Sequence, residues 1–166
     1  GGGNDRLEGG LGSDTIDGGL GLDTLNYAYS QTGVNVNLSA GTAGGGHAEG
    51  DTYSSIENII GSAHADTLVG AADNNVIAGG DGDDFIDGGS GDDTMNGGAG
   101  KDVMTGGSGD DVMTGGSGAD DFVILRDNGN DRITDFADGI DEIDISAYGI
   151  LAADFATDVA PGLSET

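Results

Sequence analysis

Residues 79–96 read GGDGDDFIDGGSGDDTMN, which is one nine-residue pattern written twice. Each unit has glycine at positions one, two and four, aspartate at position six and an apolar residue at position eight. In the same phase there are seven consecutive units over residues 61–123, and three more, the first of them truncated, over residues 1–26. A fixed period sustained in this way indicates a fold built from stacked repeats.

The acidic and apolar positions of the repeat are the candidate binding site and the candidate core. Position six is Asp in nine units and Asn in one: Asp5, Asp14, Asp23, Asp66, Asn75, Asp84, Asp93, Asp102, Asp111 and Asp120. Position eight is apolar in all ten: Leu7, Ile16, Leu25, Leu68, Ile77, Ile86, Met95, Met104, Met113 and Phe122. Glycine permits the close backbone approach of a tight turn. We therefore predict a six-residue turn and a three-residue strand in each unit, with the position-eight side chain facing inward.

The composition limits which partners the chain can have. Its 166 residues include 36 glycines and no cysteine, and the formal net charge is −27. Such a composition is also compatible with disorder, but the fixed phase over residues 61–123 favours a folded repeat. The charge disfavours nucleic acid and anionic membranes as partners, and no apolar run is long enough to span a bilayer. It favours hard cations, which prefer oxygen ligands.

The pattern GGxGxDxUx, in which U is apolar, resembles the RTX (repeats-in-toxin) family of hemolysin-type calcium-binding proteins. The resemblance implies an all-β fold, a right-handed parallel β-roll in which two successive repeats form one coil and several Ca²⁺ ions lie between stacked turns. It also implies a secreted, extracellular module that leaves the cell through a type I secretion channel. Because the chain begins within a repeat unit, we expect it to be part of a longer parent polypeptide.

Stacked coils place like charges close together. If a coil is two units, each position-six aspartate lies over the one 18 residues later, and two carboxylates about 5 Å apart repel by about 3 kcal/mol at an effective dielectric near 20. A Ca²⁺ ion between them converts this repulsion into attraction, and turn carbonyls complete about six oxygen ligands. The predicted pairs are Asp5 with Asp23, Asp66 with Asp84, Asp84 with Asp102, Asp93 with Asp111, and Asp102 with Asp120. We expect Asn75 over Asp93 to be a weaker site, because one charge is missing.

Residues 27–60 interrupt the repeat between the first block, 1–26, and the main block, 61–123. The length of 34 residues is close to that of two 18-residue coils, and Val34-Asn35-Val36-Asn37-Leu38 alternates as a half-buried strand does. We interpret the segment as irregular coils that continue the roll. A surface loop joining two rolls remains the alternative, although loops of this length are uncommon.

After residue 123 the repeat stops, and residues 124–155 are predicted to cap the exposed end of the solenoid. This segment is similar to the closing segment of RTX modules in serralysin-type metalloproteases and mannuronan C-5-epimerases. Its acidic residues Asp131, Asp135, Asp141 and Asp144 either bind one more Ca²⁺ or form a solvated acidic face. Residues 156–166 are predicted to be a loose tail.

The sequence offers little for catalysis, so we predict a non-enzymatic module. It contains no HExxH or GxSxG motif, and its two histidines are not accompanied by a zinc-ligand pattern. The alternatives are a carbohydrate-binding accessory module and a surface-layer or adhesin segment. The four tyrosines could then form a sugar-stacking platform, although aromatic residues are more often structural. Anionic polysaccharide and self-association remain open as partners.

Overall fold

The nine-residue period folds into short strands, which the computed structural model describes over residues 1–126 and 129–148. The strands of the first half are β1 (Arg6–Leu7), β2 (Thr15–Asp17), β3 (Thr24–Asn26), β4 (Asn35–Asn37), β5 (Thr42–Gly44), β6 (Thr52–Ser54), β7 (Asn58–Ile60) and β8 (Thr67–Val69). Those of the second half are β9 (Val76–Asp81), β10 (Phe85–Ser90), β11 (Thr94–Ala99), β12 (Val103–Ser108), β13 (Val112–Ser117), β14 (Asp121–Val123), β15 (Arg132–Ile133) and β16 (Glu142–Asp144). Two single-turn 3₁₀ helices cover Gly46–Ala48 and Ser146–Tyr148.

Outside residues 27–60, successive strands alternate between two sheets and pair in parallel two units apart. One sheet has the order β1-β3-β7-β9-β11-β13-β15, and the other has the order β16-β14-β12-β10-β8-β4-β5-β6-β2. Met95 pairs with Met113 and Ile86 pairs with Met104, so one coil of the main block is 18 residues. The predicted all-β parallel β-roll, with two repeats per coil, is therefore confirmed.

The core of the roll is formed largely by the position-eight side chains. Eight of them are at most 1% exposed: Leu25, Leu68, Ile77, Ile86, Met95, Met104, Met113 and Phe122. Leu7 and Ile16 belong to the first coil and are only partly buried, because no earlier coil in the described chain covers them. The inward direction predicted for position eight is confirmed.

The strands of the main block are longer than predicted. Strands β9 to β13 each have six residues instead of three, because positions two and three also pair, as in Gly89 with Gly107 and Ser90 with Ser108. The close approach of successive coils depends on glycine. Gly98 has φ of 115°, and a Cβ on it would lie 1.9 Å from the carbonyl oxygen of Gly80. The glycine-rich half of the unit is therefore partly strand and not only turn.

Residues 27–60 form one enlarged coil and not two. In the first sheet β3 pairs directly with β7, although their paired residues are 34 apart. In the second sheet the extra length forms the antiparallel meander β4-β5-β6, which lies between β8 and β2. Its apolar side chains enter the common core, where Val36 is fully buried. The segment therefore packs as part of the roll, with strands in both sheets and buried side chains in the core.

The chain after residue 123 adds a further coil to the roll. Strand β15 pairs with β13 and β16 pairs with β14, and the paired residues are 20 and 21 apart. Phe136 packs against Phe122 with ring centroids 6.4 Å apart. The described part of the predicted cap thus continues the coil register with slightly longer turns. Residues 149–155 of that segment and the predicted tail, 156–166, lie outside the described residues.

Candidate metal-binding turns

The position-six side chains lie in two columns, one beside each row of turns. With the residues that continue these columns outside the repeats, the first column contains Asp5, Asp23, Glu57, Asn75, Asp93, Asp111 and Asp131. The second contains Asp14 and Asp51 and, beyond the meander, Asp66, Asp84, Asp102, Asp120 and Asp141. In most steps a carboxylate oxygen accepts a hydrogen bond from the backbone N–H of the column residue one coil earlier. Examples are Asp84 to Asp102 at 2.9 Å and Asp93 to Asp111 at 2.8 Å.

Every predicted pair is brought together by such a bond. The distances from backbone N to Oδ1 are 2.7 Å for Asp5 to Asp23, 2.8 Å for Asp66 to Asp84 and 3.0 Å for Asp102 to Asp120. Asn75 donates in the same way to Asp93 at 2.7 Å. The pairing that the 18-residue period predicts is therefore confirmed, whereas metal binding at each pair stays a prediction.

The second carboxylate oxygen of most column aspartates is buried without a partner. Among the described residues, the buried side-chain polar atoms that lack a hydrogen bond are all of this kind: Oδ2 of Asp14, Asp23, Asp84, Asp93, Asp102, Asp111 and Asp120. Burying an ionised carboxylate without a partner for its charge costs on the order of several kcal/mol. A column of such atoms therefore requires a cation or a proton.

The unpaired carboxylate oxygens lie close to backbone carbonyl oxygens of the glycine-rich turns, as Asp84 shows. A Cβ on Gly79 would lie 2.2 Å from Oδ2 of Asp84 and 2.6 Å from the carbonyl oxygen of Gly97 in the next coil. Carboxylate and carbonyl oxygens thus converge at position one of the repeat, where only glycine leaves room. Ca²⁺ is bound in proteins by carboxylate and carbonyl oxygens. These carboxylate and carbonyl oxygens therefore fit a Ca²⁺ ion.

Side chains alone do not form a metal centre in the part of the chain that the structure describes. No group of three or more His, Cys, Asp or Glu side chains there could hold an ion. An ion in these turns must therefore take much of its coordination from backbone carbonyls, as the glycine-rich turns allow. A zinc site, which needs three or four nitrogen or sulfur ligands with few exceptions, does not fit.

Comparison with known families agrees with this geometry. The model of the RTX calcium-binding nonapeptide repeat, in four copies, matches residues 1–27, 60–95 and 87–122, which is more than half of the chain. The chain belongs to the RTX calcium-binding repeat family. No curated protein matches it. The similarity of the closing segment to serralysin or epimerase modules stays a prediction. No helix in residues 1–126 and 129–148 is long and apolar enough to cross a membrane.

Burial changes the acidity of the RTX aspartates in the metal-free protein. Removal from water is the main cause, and neighbouring carboxylates act in the same direction. Together they raise the pKa of Asp84 and of Asp93 to about 7 and the pKa of Asp102 to about 6. Burial also raises the pKa of Asp111 and Asp120. A bound cation acts in the opposite direction, because it favours the charged form.

Three column members lie outside the unbroken repeat units. Glu57 and Asp51 were not predicted as site residues, and Asp141 was considered only with the other acidic residues of the closing segment. Glu57 accepts the backbone N–H of Asp23 at 2.7 Å, Asp51 accepts that of Asp14 at 2.8 Å, and Asp141 accepts that of Asp120 at 3.1 Å. Each is followed by the same polar-apolar order that follows Asp23: Glu57 by NII, Asp51 by TYS and Asp141 by EID. The sequence therefore carried a signal for them, although outside the unbroken repeat.

The acidic residues of the closing segment do not form one site. Asp131 belongs to the first column, because it accepts the backbone N–H of Asp111 at 3.2 Å, and Asp141 belongs to the second. Asp135 lies in neither column, since its two oxygens accept the N–H groups of Gly115 and Gly116. Asp144 accepts from Ser146. The structure therefore does not bring these four residues together around one point, and Asp135 accepts hydrogen bonds from the backbone instead.

The tyrosines do not form a common exposed surface. Tyr27 and Tyr53 are buried in the core, and their hydroxyls donate to Asp51 and to the carbonyl oxygen of Thr42. Tyr29 is exposed, and the side chain of Tyr148 lies outside the description. Tyr27 and Tyr53 therefore have the structural role that was the favoured interpretation of the tyrosines, and they are not available for stacking on a sugar.

Proposed function

We propose that this RTX roll is a calcium-dependent folding module of a secreted protein, loose at cytosolic calcium and rigid outside the cell. The observation that carries the proposal is the set of seven buried Oδ2 atoms without partners. Each of them opposes folding when it is charged and unpaired, and each becomes a ligand when Ca²⁺ is present.

The expected energies are large enough for a switch. With a dissociation constant near 1 mM and calcium near 10 mM, one site stabilises the fold by roughly 1.4 kcal/mol. About five to seven such sites give about 7–10 kcal/mol, which is comparable to the whole stability of a typical domain. At submicromolar calcium the same sites contribute almost nothing.

The module acts without catalysis of its own, and any enzymatic activity belongs to the parent polypeptide. Export through a type I channel is consistent with this scheme, because a chain that stays loose in the cytosol is easily threaded and then folds where calcium is abundant. The net charge of −27 assists the threading step, since self-repulsion keeps the metal-free chain expanded.

Far-ultraviolet circular dichroism combined with calorimetric titration tests the proposal. In EGTA we expect the β signal of the coils with unpaired carboxylates to be lost, and we expect millimolar Ca²⁺ to restore it with several ions bound per chain. Mg²⁺ at the same concentration is the control, because it prefers a tighter octahedron and keeps its water. An unchanged spectrum on adding calcium to the stripped protein would show that the proposal is wrong.

A further inference from the structure

The unpaired oxygens are distributed unevenly along the roll. Two lie in the N-terminal coils, on Asp14 and Asp23, and five lie in the C-terminal coils, on the position-six aspartates from Asp84 to Asp120. Between them, over residues 27–78, the buried column members are Asp51, Asp66 and Asn75. None of the three has an unpartnered buried atom. In the described roll, the buried column side chains of the centre are therefore fully hydrogen-bonded, whereas those of the two flanking parts have unpaired oxygens.

In this centre, protein donors occupy the oxygens that are unpaired elsewhere. The hydroxyl of Tyr27 donates to Oδ2 of Asp51 at 2.9 Å, while the backbone N–H of Asp14 donates to its Oδ1. The backbone N–H of Ser62 donates to Oδ2 of Asp66 at 2.5 Å, and the Ser62 hydroxyl donates to its Oδ1 at 2.8 Å. Neither aspartate needs a cation to complete its hydrogen bonding.

Asn75 replaces both a carboxylate and the ion it would bind. Its Nδ2 donates to the carbonyl oxygen of Glu57 at 2.6 Å, and its Oδ1 accepts from the backbone N–H of Ala71 at 2.7 Å. The side-chain amide thus supplies a donor to a carbonyl of the preceding coil, where a cation would otherwise supply positive charge. The position-six side chain of this turn is therefore neutral, and both its oxygen and its nitrogen are hydrogen-bonded.

In the turns of Asp66 and Asn75, the residue at position two of the repeat explains why the position-six side chain is hydrogen-bonded by the protein itself. The units that begin at Gly61 and Gly70 have Ser62 and Ala71 there, in place of glycine. The corresponding Gly80 has φ of 121°, whereas neither Ser62 nor Ala71 has a positive φ. Non-glycine residues avoid the left-handed region, and in both units the position-two N–H donates to the position-six side chain. The turns are closed by the backbone instead of by an ion.

The same central part contains most of the apolar core. Of the 16 buried hydrophobic residues, ten lie within residues 27–78: Tyr27, Val34, Val36, Leu38, Ala48, Tyr53, Ile56, Ile59, Leu68 and Ile77. The similar length from 79 to 126 contributes five, which are Ile86, Met95, Met104, Met113 and Phe122. Since apolar burial is the main driving force of folding, the centre has the stronger drive to fold and the weaker electrostatic opposition.

We propose that residues 27–78 form a calcium-independent folding nucleus, from which the calcium-dependent coils extend in both directions. The inference rests on the proposed function for the outer coils and limits it, since the metal-free protein keeps a folded centre. Calcium then adds coils to an existing template, which avoids the entropy cost of nucleating the roll from a fully unfolded chain.

Hydrogen exchange on the whole chain, read by mass spectrometry in EGTA and in calcium, tests the inference. The amides of Tyr27, Leu38 and Thr67 donate to backbone carbonyls in neighbouring rungs of the centre, and we expect them to stay protected in EGTA. The amides of Val103 and Val112 make the equivalent bonds in the outer coils, and we expect protection there only in calcium. Protection lost uniformly in EGTA and regained uniformly in calcium would overturn the nucleus while leaving the proposed function intact. Protection unaffected by calcium anywhere would instead overturn the proposed function.

Two pairs of variants locate the cause. Tyr27→Phe leaves Oδ2 of Asp51 without a donor, and we expect protection of the centre in EGTA to fall roughly tenfold or more. Tyr29→Phe is the control, because Tyr29 is 69% exposed, and we expect no change.

Asn75→Asp replaces the amide that donates to the carbonyl oxygen of Glu57 with a negative charge. We expect the protection of residues 61–78 in EGTA to fall by about the same factor. Asn74→Asp adds the same charge on the exposed neighbour and keeps the oxygen that accepts from Asp92. Equal effects of both members in each pair would overturn the assignment.

Discussion

The backbone N–H of Asp84 donates a 2.9 Å hydrogen bond to Oδ1 of Asp102, one coil further along, while Oδ2 of Asp102 is buried with no partner. One carboxylate thus has two separate tasks. One oxygen ties consecutive coils together through the backbone, and the other faces the glycine-lined space between turns. The two tasks can be separated by substitution, because an amide retains the first oxygen and replaces the second.

Asp102→Asn is expected to weaken calcium binding while keeping the inter-coil hydrogen bond. We expect the calcium stoichiometry measured by calorimetry to fall by about one ion and the stability in calcium to fall by about 1–2 kcal/mol, the contribution of one site. The control is Asp83→Asn, because Asp83 is exposed and its Oδ1 accepts from the backbone of Lys101, which an amide oxygen also does. Equal binding by the Asp102→Asn variant and the unsubstituted protein would contradict the assignment.

Gly79→Ala is expected to damage the site without changing any ligand. The added Cβ would lie 2.2 Å from Oδ2 of Asp84, so either the carboxylate or the backbone must move. We expect a loss of roughly 1–3 kcal/mol in calcium and weaker calcium binding, measured by denaturation at several calcium concentrations. Gly2→Ala is the matched control, since a Cβ there meets no atom within 4 Å. If both variants behaved alike, the close approach would not be needed for function.

The metal-free protein is expected to be more structured in mild acid than at neutral pH. The pKa is raised to about 7 for Asp84 and Asp93 and to about 6 for Asp102 in the folded state, whereas unfolded aspartate titrates near 3.9, an approximate reference value. Between about pH 4 and pH 7 the folded state therefore binds more protons, and stability falls as pH rises through this window.

Circular dichroism on stripped protein in calcium-free buffer, followed from about pH 4.5 to about pH 7.5, checks this expectation. Calcium affinity should change in the opposite direction, because protons compete for the same oxygens. The variant with Asp84, Asp93 and Asp102 all replaced by asparagine should have a shallower pH dependence. A metal-free protein that gains structure as pH rises would contradict the sign.

Met104→Ala is expected to destabilise the roll at saturating calcium. Met104 is fully buried between Ile86 and Phe122, its pairing partners in the neighbouring coils. Truncating such a side chain typically costs about 2–5 kcal/mol, whereas Met104→Leu conserves volume and should cost less than about 1.5 kcal/mol. Thermal denaturation in calcium measures the stability of both variants. A similar loss of stability in the two would argue against close packing at this position.

The nine-residue phase by itself predicted a stack of repeats with position eight facing inward. The family resemblance of the same pattern added the parallel β-roll and, with two repeats per coil, the stacking of each aspartate over the one 18 residues later. A strict period is informative because it places every unit in the same environment, so that a rule found in one unit holds in all. The pairs Asp5 with Asp23 and Asp93 with Asp111 follow from counting. The missing charge at Asn75 is also visible in the sequence, and the weaker calcium site expected there stays a prediction.

Only the tertiary structure decided what happens where the period breaks. The 34 residues from 27 to 60 form one coil and not two, because β3 pairs directly with β7 and the extra length forms the meander β4-β5-β6, in which Val36 and Tyr53 are buried. Asp51 and Glu57 enter the columns through contacts with residues more than 30 positions away. Whether a carboxylate oxygen is left unpaired depends on which donor reaches it, as Ser62 reaches Asp66. That depends on backbone angles and packing, and a periodic pattern does not specify either of them.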